Sequence, residues 1–365
     1  MNSQKRLRVM LVVGTRPNFM KVAPLIREIS KYPQKFNWFL THTGQHYDEG
    51  MSEAFFDDLG LPKPDIYLGV GSGTDAKQTG KIMVEFERIC LKEKPDLVVV
   101  VGDVNSTVAC AFVAAKLCIS VAHVEAGLRS FDRTMPEEIN RIITDQLSEY
   151  LFTTCDDANQ NLIKEGIPKN KIFFVGNTMI DCLLSHIKTV RDSIALEKLG
   201  LRKDGRIRKY GLITLHRPSN VDDPETLKGI LNMLNELAKE IPMIFPIHPR
   251  TAKQMKNHEL TDVMTMPPLG YLDFLFLMSN AAIVLTDSGG IQEETTILGV
   301  PCLTLRNNTE RPITVKEGTN ILVGNNPDKI MSVAVNVLRN GIPGKKKPKY
   351  WDRKVAERII KILGP

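Results

Sequence analysis

The stretch IVLTDSGGIQEETTILGVPCLTLRNNTER, residues 283–311, decides the fold. An apolar run ending at residue 285 leads into the polar turn TDSGG, and a helical pattern then extends to the breaker Gly299-Val300-Pro301. A second apolar run occupies residues 302–305. A strand, a tight turn, a helix and a strand in this order predict one βαβ unit of a parallel sheet.

The turn inside this unit has the features of a phosphate site. Ser288 is a favourable N-cap, and Gly289 and Gly290 remove side chains from the first helical turn. Free N–H groups and the positive end of the helix dipole favour an anion there. Glu294 shares a helix face with Gly290 and is placed to accept hydrogen bonds from a ribose diol, while Arg311 follows the next strand. These residues favour a phosphate–ribose site over a helix start with a solvated glutamate pair.

Composition and charge exclude several classes of partner. The chain has 365 residues, enough for two domains, and its 48 basic and 42 acidic side chains give a net charge of +6. This positive charge is too small and too scattered to indicate nucleic-acid binding, but it suits a small substrate with two negative charges. No segment is long enough to span a membrane, and the apolar run 9–13 is too short for a signal peptide. Six dispersed cysteines without CxxC spacing indicate neither a zinc site nor disulfides, so we expect a cytosolic protein.

Strand and helix patterns alternate along the chain in two successive series. The first series predicts a Rossmann-like domain over residues 1–176, and the second predicts another over residues 177–351. A final helix within 352–365 is compatible with packing on either domain. We expect an α/β protein whose two parallel sheets face each other across a cleft, with a ligand between the carboxyl ends of the strands. The glycine-rich segment 69–80 is expected to be a mobile loop over that cleft.

Two cations stand at the opening of the first helix. Arg16 and Lys21 add positive charge to a helix terminus that already favours anions, although Lys21 alone is also consistent with a solvated surface charge. The sequence has no GxGxxG and no acidic residue after the second strand, so no dinucleotide cofactor is predicted. It has no P-loop motif either.

Three carboxylates accompany the later strands of the first series. Asp103 follows the aliphatic run 97–101 and is either a turn residue or a site residue at the end of a buried strand. Glu125 ends the next strand, where it either pairs with Arg129 or points toward the same cleft as Asp103. Glu137 lies in the first turn of a helix, where an acid is ordinary helix chemistry.

The second series offers two histidines that follow strands. His216 is beside Arg217, and His248 is two residues before Arg250. A single histidine is usually structural, but two histidines in such positions near arginines indicate a site.

Taken in order, these motifs resemble one family, the non-hydrolysing UDP-N-acetylglucosamine 2-epimerases. The matching segments are GTRPNFMKVAPLI (14–26), TGQHYD (43–48), VGDVNST (101–107), HVEAGLRS (123–130), PEEINR (136–141), VGNTMID (175–181), LHRPSN (215–220), YLDFLFLMSNA (271–281), TDSGGIQEE (286–294) and 306–312, which ends in TERP. The resemblance implies a GT-B-like fold, a homodimer, and reversible conversion of UDP-GlcNAc to UDP-ManNAc without a metal or redox cofactor. One departure is Ser219, which stands where the family usually has an acid.

The resemblance also implies roles for individual residues. The C2 proton of the sugar is very weakly acidic, so cleavage of the C1–O bond comes first; proton loss then yields UDP and a 2-acetamidoglucal, and re-addition on the other face gives the epimer. Asp103, Glu125 and Glu137 are expected to act as acid and base, with the choice among them open, and His216 to steady the leaving diphosphate. Phe274 is expected at the uracil and Glu294 at the ribose. The remaining implied substrate-binding residues are Arg16, Lys21, Ser288, Gly289, Gly290 and Arg311.

Bacterial members of this family bind a second UDP-GlcNAc beside the active site as an activator. The positions that match this allosteric site are Gln45, His46, Lys77, Gln78, Glu138, Arg217 and His248. Lys77 stands where some members have an arginine. Allosteric activation is therefore a hypothesis for this chain.

Three other functions fit parts of the pattern. A GT-B glycosyltransferase shares the two sheets and the ribose-binding glutamate, but it needs an acceptor. A hydrolysing epimerase releases UDP and free ManNAc. A catalytically silent nucleotide-sugar binding protein has no need for the three carboxylates and His216, all of which are present.

Overall fold

The structure is a computed structural model, and it describes residues 5–45, 59–187, 196–197, 199–203, 205–255, 260–342 and 346–364. Contacts within the chain divide it into two compact units. The first unit contains residues 1–185 and 349–365, and the second contains residues 186–348. None of the helices in the described ranges is both long and apolar enough to cross a membrane.

The first unit is built on a seven-stranded parallel sheet. In chain order its strands are β1 (Leu7–Val13), β2 (Phe36–His42), β3 (Ile66–Tyr67), β4 (Leu97–Val101), β5 (Ser120–Ala126), β6 (Tyr150–Thr153) and β7 (Ile172–Phe174). Their order across the sheet is β3-β2-β1-β4-β5-β6-β7. Because the strand order reverses between β1 and β4, the carboxyl ends of these strands frame a crevice of the kind in which α/β proteins bind ligands.

Helices flank this sheet, and all five residues of β4 are buried, as expected for a strand covered on both faces. The helices are α1 (Arg16–Ile29), α2 (Asp75–Glu93), α3 (Asn105–Lys116), α4 (Pro136–Leu147), α5 (Asp156–Lys164) and α6 (Thr178–His186), with a short 3-10 turn at Lys169–Lys171.

Helix α2 corrects the expected loop at residues 69–80. The helix begins at Asp75, and Gly80 lies inside it. Its buried positions Ile82, Phe86 and Ile89 recur at helical spacing and join the core of the first unit. The concentration of glycines in the preceding residues hid this periodicity.

The second unit contains a six-stranded parallel sheet and a small antiparallel hairpin. The hairpin pairs β8 (Arg202–Lys203) with β9 (Arg206–Ile207). The sheet strands are β10 (Gly211–Thr214), β11 (Met243–Pro246), β12 (Met264–Met266), β13 (Ile283–Thr286), β14 (Cys302–Thr304) and β15 (Asn320–Leu322), in the spatial order β12-β11-β10-β13-β14-β15.

The helices of this unit follow the same alternation. They are α7 (Pro218–Val221), α8 (Pro224–Glu240), α9 (Pro249–Gln254), α10 (Tyr271–Asn280), α11 (Gly289–Leu298), α12 (Pro312–Lys316) and α13 (Pro327–Asn340). The βαβ unit predicted for residues 283–311 is confirmed as β13, α11 and β14, with β13 and β14 paired in parallel. The strand order reverses again, between β10 and β13, which places a second crevice at their carboxyl ends.

The last helix, α14 (Val355–Leu363), belongs to the first unit, where it packs against α1. The N–H of Ala356 donates to Oδ2 of Asp181 in α6 across 3.0 Å. Nε1 of Trp351 donates to the carbonyl of Thr154 across 2.9 Å. Most of α6 also belongs to the first unit. The boundary predicted from the sequence, after residue 176, would have assigned α6 to the second domain.

Candidate active site

Polar side chains cluster at the carboxyl ends of the strands in each unit. In the first unit, Nζ of Lys21 lies 2.8 Å from Oε2 of Glu125, and both side chains are almost completely buried. Lys21 is therefore not a solvated surface charge. Glu125 pairs with this lysine, whereas the guanidinium of Arg129 contacts Asp145 and Glu165.

Asp103 is held by a buried arginine. Its Oδ2 accepts from Nη2 of Arg141 across 2.6 Å, and Nη1 of the same arginine donates to Oε2 of Glu138 across 2.7 Å. Glu138 also accepts from the N–H groups of Ser130 and Phe131, each across 2.9 Å. The structure thus brings together a predicted catalytic carboxylate and a predicted allosteric residue through one guanidinium group.

A chain of amide side chains continues from this point. Nδ2 of Asn140 donates to the carbonyl of Asp103 across 2.9 Å, and Nδ2 of Asn105 donates to Oε1 of Gln78 across 3.0 Å. Nε2 of Gln78 in turn donates to the carbonyl of Gln45. Two of the predicted allosteric residues are therefore fixed in the same buried network as Asp103.

The other predicted residues of the first unit are placed as follows. Arg16 begins α1 and Glu137 lies in the first turn of α4; both are partly buried. Lys77 is exposed on α2. His46 lies outside the described residues.

In the second unit, Asp287 organises the end of strand β10. This carboxylate is completely buried and accepts from Nδ1 of His216 across 2.9 Å. It also accepts from the backbone N–H groups of His216 and Arg217, each across 2.9 Å, and from Nδ2 of Asn220 across 3.2 Å. Burial favours the neutral acid, but these donors outweigh burial and hold the pKa of Asp287 below its ordinary value.

The second histidine lies beside the first. The rings of His216 and His248 have centroids 5.5 Å apart. Nδ1 of His248 accepts from the N–H of Arg250 across 3.2 Å, which caps α9 and orients the ring. The sequence-based pairing of these two histidines into one site is consistent with this geometry.

The start of α11 lies against Arg311. Ser288 is the N-cap residue, although its side chain makes no capping hydrogen bond. A Cβ atom at Gly289 would lie only 2.5 Å from Nη1 of Arg311, so glycine is what lets the guanidinium approach this turn. Glu310 and Glu293 hold the same guanidinium, the latter with its carboxylate 2.8 Å from Nε. A guanidinium group and the N–H groups of a helix terminus therefore lie together, with two glutamates already paired to the guanidinium.

Glu294 is buried one turn further along α11. Its Oε1 accepts from the hydroxyl of Tyr271 across 3.0 Å. Burial raises the pKa of Glu294 to about 8, with the neighbouring Glu293 adding to the shift. The expected alternative, a solvated glutamate pair, is wrong because both carboxylates are buried. Phe274 is half-buried on α10, one turn after Tyr271.

Sequence reasoning assigned no role to two residues that organise these clusters. Asp287 stands inside the stretch that decides the fold, and its position directly after a buried strand was the available signal. Arg141 ends the PEEINR segment, one helical turn after Glu138, and its spacing gave no indication that it reaches Asp103.

Comparisons with known proteins identify the family of the chain. A sequence model of the family described as UDP-N-acetylglucosamine 2-epimerase matches residues 27–364. A relative of that name from Methanocaldococcus jannaschii is 47% identical over 370 residues, covering 98% of this chain and 99% of the relative. A Pseudomonas aeruginosa relative named UDP-2,3-diacetamido-2,3-dideoxy-D-glucuronate 2-epimerase is 42% identical, covering 90% of this chain and 91% of its own.

Solved structures indicate the same family. A crystal structure of the Methanocaldococcus jannaschii UDP-GlcNAc 2-epimerase in complex with UDP-GlcNAc and UDP matches with a TM-score of 0.89 at 47% identity. The match covers 98% of this chain and 99% of that chain. The family resemblance and the expected α/β fold of GT-B type are thereby confirmed. The chain is an epimerase and belongs to the UDP-N-acetylglucosamine 2-epimerase family.

Proposed function

We propose that this protein interconverts UDP-GlcNAc and UDP-ManNAc by eliminating UDP and adding it back, without hydrolysis. The observation that carries the proposal is the relation to the Methanocaldococcus jannaschii epimerase, which is 47% identical and whose crystal structure holds UDP-GlcNAc and UDP. The two polar clusters supply the groups that such a reaction needs, and no cofactor is part of the proposal.

The second unit is assigned to the UDP group. Arg311 and the first turn of α11, residues 288–290, present positive charge and N–H groups suited to a diphosphate. Glu294 is assigned to the ribose hydroxyls and Phe274 to the uracil. His216 is assigned to the phosphate that departs from C1, because Asp287 holds the ring by Nδ1 and leaves Nε2 for a ligand.

The first unit is assigned to the sugar. Breaking the C1–O bond gives C1 the character of an oxocarbenium ion, with the electron pair leaving on UDP. The C2 proton then becomes acidic enough for a carboxylate to remove it. Asp103, Glu125 and Glu137 are the candidates for this base and for the acid that returns a proton on the other face. Arg16 and Lys21 are assigned to the same site as cations, and Lys21 contacts Glu125 directly.

The matching allosteric positions support a second, regulatory UDP-GlcNAc. Lys77 and His248 are exposed, Arg217 is partly buried, and Gln45, Gln78 and Glu138 are fixed by hydrogen bonds. We expect the rate with UDP-ManNAc as sole substrate to rise when traces of UDP-GlcNAc are added. A strictly hyperbolic curve without such stimulation would contradict regulation but leave the epimerisation intact.

A homodimer and a cytosolic location complete the proposal. Adjacent helices α2, α3 and α4 expose large apolar side chains that a second copy could cover: Val84, Leu91, Phe112, Ile139 and Ile143. Light scattering should give twice the chain mass, and a Phe112→Asp variant should shift toward monomer. A monomeric wild-type protein at micromolar concentration would contradict the dimer. The six cysteines are free thiols, which suits a reducing compartment.

Proton NMR of the protein with UDP-GlcNAc in D2O tests the reaction. We expect UDP-ManNAc with deuterium at C2, and only traces of UDP and glycal, with a His216→Asn variant as the inactive control. Stoichiometric UDP and free ManNAc would identify a hydrolysing enzyme, and a retained C2 proton would favour a transferase that lacks its acceptor. The Pseudomonas aeruginosa relative supports a second candidate, so the UDP-diacetamidoglucuronate named for it is tested in parallel.

A further inference from the structure

Glu125 occupies an irregular position in its strand. Strands β5 and β6 pair in register up to Val124 opposite Phe152, and pairing resumes with Ala126 opposite Thr153, so Glu125 is the extra residue of a β-bulge. Its φ angle is +77°, a backbone conformation that residues other than glycine rarely adopt. The surrounding structure must impose this conformation.

The carboxylate of Asp145 accepts hydrogen bonds from residues on both sides of that bulge. Its Oδ1 accepts from Nδ1 of His123 across 2.6 Å, two residues before Glu125. Its Oδ2 accepts from the N–H of Gly127 across 3.1 Å, two residues after Glu125. A Cβ atom at Gly127 would lie 2.5 Å from the carbonyl oxygen of Ala158, so the backbone after the bulge also packs closely against helix α5.

The carboxylate of Asp145 is buried, and a guanidinium group lies beside it. Asp145 and His123 are completely buried, and Nη2 of Arg129 lies 2.7 Å from Oδ2 of Asp145. Burial favours the neutral acid, but His123 and Arg129 outweigh it and keep the pKa of Asp145 below its ordinary value. An ionised carboxylate with bonds to two sites along the chain resists deformation more than a neutral amide does.

The same contacts reach a second candidate carboxylate. Nε2 of His123 donates to the carbonyl of Gly102 across 2.8 Å, and Gly102 immediately precedes Asp103. Asp145 lies on helix α4, which also carries Glu137 in its first turn and Arg141, the partner of Asp103. One helix therefore carries Glu137, contacts Asp103 through Arg141, and bonds to the residues that flank Glu125 through Asp145.

We propose that Asp145 is a positioning residue for the epimerisation, which holds Glu125 against Lys21 and, through His123, fixes the peptide that precedes Asp103. This inference rests on the proposed function, because it assigns Asp145 to the acid and base groups of that reaction. Asp145 itself does not touch the substrate. The competing view is that the buried charges only stabilise the fold, and that view predicts no specific effect on turnover.

The test compares Asp145→Asn with a matched control, Glu165→Gln. Glu165 contacts the same Arg129, but its carboxylate is partly exposed, whereas that of Asp145 is buried. We expect Asp145→Asn to lower kcat at least tenfold, with the KM for UDP-GlcNAc and the Kd for UDP within twofold of wild type, because the assigned UDP contacts belong to the second unit. Glu165→Gln should retain wild-type kcat. In a crystal structure of Asp145→Asn, Glu125 should leave positive φ and its contact with Lys21 should open.

Two further measurements distinguish a failure of the positioning proposal from a folding defect and from a failure of the proposed function. If Asp145→Asn fails to bind UDP or to fold, His123→Gln decides, since it keeps the charge of Asp145 and should lower kcat several-fold while UDP still binds. If the wild-type protein exchanges no C2 proton, the proposed function fails, and the Glu125 backbone in the variant crystal still tests the positioning. Wild-type kcat in both variants, or an unchanged bulge in Asp145→Asn, would overturn the proposal.

Discussion

Nδ1 of His216 donates a hydrogen bond to Oδ1 of Asp287 across 2.9 Å, at the carboxyl ends of the neighbouring strands β10 and β13. A carboxylate can only accept, so Nδ1 carries its proton and Nε2 is left for a ligand. Because Asp287 also binds two backbone N–H groups beside the ring, it fixes both the orientation and the tautomer of the histidine.

Replacing Asp287 by asparagine should therefore impair the reaction without removing His216. The amide lacks the charge that favours the proton on Nδ1, and we expect kcat to fall by roughly 10-fold to 100-fold, the range seen when a carboxylate that orients a functional histidine is replaced. Steady-state kinetics measures this loss. Thr214→Val is the matched control, because it removes a hydroxyl bonded to Thr286 at the same strand end and leaves His216 in place. Equal kcat in both variants would mean that Asp287 has no role in turnover.

Gly289→Ala tests whether Arg311 belongs to the diphosphate site. The added Cβ would stand 2.5 Å from Nη1 of Arg311 and 2.8 Å from Oε1 of Glu310, so the guanidinium has to move. We expect UDP to bind about tenfold or more weakly by calorimetry. Gly80→Ala is the control, since no atom lies within 4 Å of that added Cβ and its helix should gain up to about 1 kcal/mol. Undiminished UDP binding by Gly289→Ala would remove Arg311 from the site.

The pKa of Glu294, raised to about 8 by burial, makes nucleoside binding depend on pH. Below that value the free protein holds the neutral acid, whereas a ribose diol donates best to the carboxylate. Uridine affinity should therefore rise with pH, by up to about tenfold per pH unit, and level off above about pH 8. Uridine is the probe because it has no phosphate that titrates in this range. Glu294→Gln should bind more weakly and show no such rise; a similar rise in that variant would assign the titration to another group.

Asp181 makes the stability of the first unit depend on pH. Burial raises the pKa of Asp181 from 3.8 to about 6, so the folded protein binds the proton more tightly than the unfolded chain. The stability gained from this protonation is complete below pH 3.8 and is lost as the pH rises through about 6. The free energy of unfolding of Asp181→Asn, relative to wild type, should increase over that interval by at most about 3 kcal/mol. The amide oxygen can still accept from Ala356. Parallel pH profiles in chemical denaturation would show that Asp181 does not titrate in this way.

Local sequence signals were sufficient for most of the fold. The aliphatic run 97–101 is strand Leu97–Val101, and the βαβ unit predicted within residues 283–311 is β13, α11 and β14. These elements are predictable because side-chain burial follows the period of the element. The same reasoning predicted the turn that opens helix α11 at Ser288, Gly289 and Gly290, since strand ends and glycines are visible in the sequence.

Contacts between distant residues were not predictable in this way. Arg129 is near Glu125 in sequence yet pairs with Asp145, while Glu125 pairs with Lys21, more than a hundred residues away. The β-bulge at Glu125 leaves no mark on the apolar pattern of its strand, because an inserted residue changes the register and not the composition. The family resemblance supplied the candidate carboxylates, and only the fold showed what holds them.

The return of helix α14 to the first unit sets an order of assembly during synthesis on the ribosome. The second unit is one continuous segment, residues 186–348, and all of its described strands have been synthesised before residues 349–365 are made. The first unit begins earlier in the chain, but it lacks helix α14 until that late segment is translated. This helix packs against α1 and buries Ile359 and Ile360. A nascent chain that stalls before residue 349 would therefore leave an open apolar seam on the first unit, the kind of surface that chaperones recognise.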